Sequence, residues 1–286
     1  MRTSVRAAWS YRWLRSLAPL LLWSLIPGPL SAQDGWIFGG DAVVRSTYVW
    51  RGVLRNSAWV LQPDFFITAA QGRSSITGGW WSTIDLGSVD PVDPKSTGLG
   101  QTWFGQNDLW LEVAASSKVV DFTVGVVRYQ FADGSFNQSA DAVNTTELYA
   151  TSRISVGPFV PRVAVWIDVS RVRGAYIETS LDLRVPVLPS YDPIIAAYLS
   201  ALAGWSAGQE IDRQNPDQAA YFSGAGLTHL DFGLDVAVGR RQRYVTVELH
   251  VLAAQDGGAR AEPGHYNASW WLGLGFSDSV VLGALW

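Results

Sequence analysis

The side chains able to do chemistry in this chain are charged groups set at alternate positions of otherwise apolar runs. Arg45, Arg51, Arg153, Arg162 and Arg184 supply positive charge, and Glu112, Glu147, Asp168, Glu178, Asp182, Asp231, Asp235 and Glu248 supply negative charge. The run at 176–185, YIETSLDLRV, shows the pattern. Ile177, Thr179, Leu181, Leu183 and Val185 alternate with Tyr176, Glu178, Ser180, Asp182 and Arg184. Side chains of a strand point to opposite faces in turn, so one face is oily and the other ionic. Ionic faces gathered inside a closed barrel would hydrate a lumen and select solutes by charge. The excess of acids predicts a mild cation preference. The competing expectation is that these groups pair across strands and plug the interior.

Other chemistry has weaker support. His229 and His250 fall on the ionic face near Asp231 and Glu248, which is the raw material of a hydrolase triad or of a metal site. No GxSxG nucleophile elbow accompanies them. Asp85, Asp90 and Asp93 do not have the spacing of a calcium loop and read as a solvated outer connection. Arg240, Arg241 and Arg243 crowd one tight turn, where they face lipid headgroups or water. The chain has no cysteine, which excludes disulfides and thiolate chemistry. No cofactor is implied.

The elements that must position these charges are strands with period-two runs between turn residues. They are expected at 36–51, 59–68, 75–84, 108–116, 119–130, 145–156, 162–171, 176–185, 194–205, 226–238, 243–252, and from about residue 266 onward. The run at 194–205 is apolar on both faces and also fits a short helix. Tight links such as QGRS, SSK, GPFVP and GRRQ alternate with long polar stretches at 86–106, 132–144, 206–223 and 253–265. Short turns on one rim and long loops on the other are the mark of an outer-membrane barrel. The short links after the first and seventh strands break that alternation on the long-loop rim.

Composition agrees with a membrane setting. Charged residues are 16% of the 286 residues and apolar residues 48%. With a net charge of -4 and no basic block, nothing points to nucleic acid. The 15 tryptophans suit belts at the two membrane–water interfaces. Arg2, Arg6, Arg12 and Arg15 precede an apolar stretch at 17–30 and the small-residue site Leu30–Ser31–Ala32, which predicts a secretory signal peptide cut after Ala32. Residues 33–286 would then form one barrel domain.

Several segments resemble the TorF-type family of outer-membrane porins of Gram-negative bacteria. They are STYVWRGV at 46–53, QPDF at 62–65, GGWWSTID at 78–85, GAYIETSLDLRVP at 174–186 and GLTHLDFGLDV at 226–236. The resemblance implies an outer-membrane channel of unassigned substrate, and it brings no catalytic residues. The chain continues SDSVVLGALW after Phe276 and ends on Trp286, a terminal aromatic like the assembly signal of such barrels.

The expectation is therefore an all-β, transmembrane, antiparallel up-and-down β-barrel of about 12 strands, with 10 or 14 as alternatives. Its partners would be outer-membrane lipid, lipopolysaccharide and small polar solutes or ions; its oligomeric state is not readable. A non-conducting structural or loop-binding barrel is the second reading, and an outer-membrane hydrolase the third.

Overall fold

The computed structural model describes residues 35–56, 58–86, 104–131, 143–188, 194–211, 219–240, 243–254 and 270–283. The signal segment, Asp90, Asp93, Arg241 and Trp286 lie outside the described residues. The strands are β1 (Gly35–Arg45), β2 (Tyr48–Trp50), β3 (Val53–Asn56), β4 (Val60–Gln71), β5 (Ser74–Asp85), β6 (Phe104–Ser116) and β7 (Val120–Phe131). They continue as β8 (Thr146–Ile154), β9 (Phe159–Asp168), β10 (Gly174–Leu188), β11 (Ile194–Ala207), β12 (Gly226–Arg240), β13 (Arg243–Ala254) and β14 (Trp270–Gly283). Twelve of them, β1 and β4 through β14, pair antiparallel in a closed ring. β1 closes the ring against β14, from Gly35 opposite Gly283 to Arg45 opposite Gly273. A closed ring leaves no unpaired edge, the condition for crossing lipid.

The faces follow from the alternation. Phe65, Ile76, Leu109, Leu111, Phe122, Leu148, Ile167, Phe232, Val247, Leu274 and Phe276 are exposed on the outside of the wall. Glu112, Glu147, Asp168, Glu178, Asp231 and Glu248 are buried on the inside. In water that exterior would be unfavourable by about 25 cal/mol for every Å² of apolar surface left wet. In hydrocarbon the same surface carries no penalty.

Four features correct or sharpen the pattern read in the sequence. The first strand ends at Arg45, not at 51; the chain then turns inward and forms the separate β2–β3 hairpin. The reason is local: Arg51 and Gly52 have φ of 52° and 82°, as a type I′ two-residue turn requires. Second, residues 194–207 are strand throughout, paired to β10 and β12. Third, the last strand is one unbroken run from Trp270 to Gly283, so no extra strand closes the ring. Fourth, the tryptophans divide between two environments. Trp36, Trp59 and Trp270 are exposed at strand ends, whereas Trp50, Trp81, Trp110, Trp166 and Trp271 are buried inside.

Large rings fit inside because glycines make room for them. A Cβ added at Gly125 would lie 2.4 Å from the ring of Tyr149, its cross-strand neighbour, and one at Gly79 would lie 2.4 Å from Trp110. Each ring therefore lies flat over bare backbone, an arrangement that also fixes strand register.

Candidate functional site

The β2–β3 hairpin makes no backbone ladder with the wall, and side chains hold it in the lumen. Tyr48 donates its hydroxyl proton to Gln106 Oε1 at 2.6 Å and packs against Trp81. Trp50 meets Tyr129, Phe131 and Tyr221 edge to face, with centroids 6.1, 5.6 and 4.8 Å away. On the other side of the hairpin, Val49 and Leu54 pack with Leu252 and Trp271. Such aromatic pairs add about 0.5–1.5 kcal/mol each beyond the area they bury.

At the tip, the Arg51 guanidinium faces Glu147 of β8. Arg51 Nη1 donates to Oε1 at 2.8 Å and Nη2 to Oε2 at 2.5 Å, a two-pronged contact. The same guanidinium lies 4.3 Å from the ring of Tyr176, 4.5 Å from Trp50, 5.4 Å from Trp166 and 5.9 Å from Tyr129. Gln209 Nε2 donates to Glu147 Oε1 at 3.2 Å. Arg51 and Glu147 are both 0% exposed, so this ion pair is shielded from solvent. Burial alone would weaken the hold of Arg51 on its proton; the Glu147 carboxylate reverses this, and the guanidinium holds its proton more tightly than an exposed arginine.

A second inward segment completes this level. Gln209, Ala219, Ala220, Tyr221 and Phe222 are buried, although the 206–223 stretch reads as an external loop. Tyr221 donates its hydroxyl proton to the Val143 carbonyl at 3.1 Å, and Phe222 stacks on Tyr176.

A second network lies around Arg45, which donates through Nε to Glu248 at 2.9 Å and through Nη1 to Gln62 at 2.7 Å. It also sits 4.6 Å over the ring of Trp271, and His250 stacks on that same ring with centroids 4.0 Å apart. His250 Nδ1 is 2.8 Å from Asp231 and Nε2 is 3.3 Å from Asp235. Both ring nitrogens thus face carboxylates, whereas a general base needs one of them turned to a nucleophile. His229 pairs through Nδ1 with the Thr228 hydroxyl at 3.0 Å. Among the described residues no group of three or more His, Asp or Glu is disposed to hold a metal ion.

The third group lies near the short-turn rim. Arg153 on β8, Arg162 on β9 and Arg184 on β10 are only half-buried, and Asp182 stands among them. Arg162 reaches Glu178 at 3.7 Å. In the ring, β9 is six strands from β1 in either direction. The arginine cluster therefore lies opposite β1 and β4, which carry Asp41 and Asp64.

All thirteen charges singled out in the sequence sit inside the barrel: twelve on the inner wall, and Arg51 on the hairpin rather than on a strand. Glu112 accepts from the Tyr149 hydroxyl at 3.1 Å, and Asp168 Oδ1 accepts from the Ser170 amide at 2.9 Å. Sequence reasoning missed the rings around Arg51 and the amides Gln62, Gln106 and Gln209. Trp166 and Tyr176 share the parity of inward charges on their strands, and that shared parity was the available signal.

Together these features define a class: a closed antiparallel barrel with an oily exterior and an ionic, partly plugged interior. No protein-family model and no curated protein sequence matches the chain. Among solved structures it is similar to an outer membrane channel from Pseudomonas putida F1, with 11% identity, a TM-score of 0.50, and coverage of 89% of this chain and 99% of that one. It is also similar to the KdgM porin, solved in complex with disordered oligogalacturonate, with 8% identity, a TM-score of 0.45, and coverage of 85% and 99%. At 11% identity the likeness to the P. putida structure establishes the fold alone, a closed antiparallel barrel of the outer-membrane kind.

Proposed function

We propose that this chain is an outer-membrane porin of the TorF type, a passive channel for small polar solutes or ions. The observation that carries this reading is the pairing of an oily outer wall with a lumen lined by ionised groups of both signs. A soluble barrel would place those faces the other way round. The P. putida channel with the same fold supports the reading. Arg45, Glu112, Glu147, Arg153, Arg162, Asp168, Glu178, Asp182, Arg184, Asp231, Asp235 and Glu248 set selectivity from the wall, and Arg51 does so from the hairpin. The acid excess gives a mild preference for cations. Export proceeds through a signal peptide cut after Ala32, and the barrel meets lipid and lipopolysaccharide. It is not an enzyme.

Purified, folded protein in planar bilayers tests this. Discrete conductance steps with a cation-leaning reversal potential are expected. Silence from protein whose folding is confirmed by heat-modifiable migration would refute the channel. Mass spectrometry of the exported chain reads the cut site.

A further inference from the structure

The hairpin tip looks like a ligand in a pocket. Arg51 occupies a backbone position with φ of 52°, which Gly, Asn or Asp fills at lower cost. Holding a bulky residue there strains the backbone. The compensation lies in the guanidinium, which meets one carboxylate edge-on and several rings face-on. Apart from Trp50, every group that does this comes from outside the hairpin: Tyr129 on β7, Glu147 on β8, Trp166 on β9, Tyr176 on β10 and Gln209 after β11. Four successive wall strands thus present an anionic, aromatic-walled recess around Arg51. Its geometry matches the planar fork of a guanidinium better than a compact, strongly hydrated ion such as sodium. The hairpin occupying the recess forms a sheet separate from the wall, so it can leave without breaking the barrel's backbone ladder.

We propose that Glu147, Gln209, Tyr129, Trp166 and Tyr176 form a receptor for guanidinium-type organic cations, with Arg51 as its tethered occupant. A solute carrying such a group competes with Arg51 and releases the hairpin. This rests on the channel reading for its purpose, though not for its binding chemistry.

The test uses the full-length barrel with Arg51→Ala, which empties the recess, and the double variant Arg51→Ala/Glu147→Gln. Each is titrated with millimolar methylguanidinium chloride, or with sodium chloride at the same ionic strength. Intrinsic tryptophan fluorescence and thermal unfolding are read in detergent, and single-channel current in bilayers. Arg51→Ala should respond to methylguanidinium about tenfold more strongly than to sodium, because a bidentate charged hydrogen-bond pair is lost with the smaller ion. The double variant should lose that preference. In bilayers, Arg51→Ala should conduct more than the parent, and methylguanidinium should reduce its current where sodium does not. Equal responses to the two cations, or a preference that survives Glu147→Gln, would overturn the receptor. If no variant conducts, the channel reading fails and the fluorescence and melting titrations still decide the binding.

Discussion

The lumen has two regions built from the same residue types in different surroundings. Near the loop-bearing rim, Arg51 and Glu147 are sealed among Trp50, Tyr129, Trp166 and Tyr176. Near the turn-bearing rim, Arg153, Arg162 and Arg184 remain half-buried around Asp182. In the first region a charge is fixed to one partner by two hydrogen bonds. In the second, several like charges share a few acids, Asp182 and Glu178 among them. A dry ion pair acts as a latch, because breaking it strands a buried charge. A half-buried cluster acts as a field, because its charge is shared among several members rather than tied to one partner.

Removing the latch altogether gives the largest expected effect. Replacing residues 47–56 by a short Gly-Ser link should raise single-channel conductance several-fold while the barrel still folds. An unchanged conductance would mean that the hairpin is not the constriction. Next comes Glu147→Gln, which leaves Arg51 buried without its carboxylate and should weaken hairpin docking by about 3–5 kcal/mol. Faster amide exchange at 48–56, with barrel-strand protection retained, is the expected signature. Gly125→Val should follow, because its side chain collides with Tyr149 and with the Leu111 carbonyl. Overpacking of this kind costs about 1–3 kcal/mol, read as a lower unfolding temperature.

The turn-rim cluster should behave otherwise. Arg153→Gln, Arg162→Gln and Arg184→Gln combined should shift the reversal potential toward cations with little change in unfolding temperature. A large stability loss would show that this region is a second latch. The smallest effect is expected outside the lumen, at Arg243–Asp278, where Nε lies 3.1 Å from Oδ2 and the arginine is 74% exposed. Asp278→Asn should cost about 0–1 kcal/mol and leave conduction unchanged.

Strand alternation was legible because it is local: Val163, Val165 and Ile167 against Arg162, Trp166 and Asp168 read directly as two faces of β9. The hairpin was not. STYVWRGV alternates as a strand does, and its tip has Arg where the usual turn signal has Asn or Asp. The 206–223 stretch is polar enough to pass for a solvated loop, yet Tyr221 and Phe222 are buried against rings of β7, β10 and the hairpin.

By itself the sequence determined which face of each strand is oily, about how many strands there are, and that the ionic faces must share one interior. Period-two patterning depends on neighbours one and two residues away, so a single chain carries it in full. Only the tertiary structure decided that residues 48–56 fold inward, that Arg51 meets Glu147 across 96 positions of chain, and that Arg153, Arg162 and Arg184 come together from three strands. Those outcomes depend on ring closure and on which strands are brought face to face across the lumen, and no local pattern encodes that.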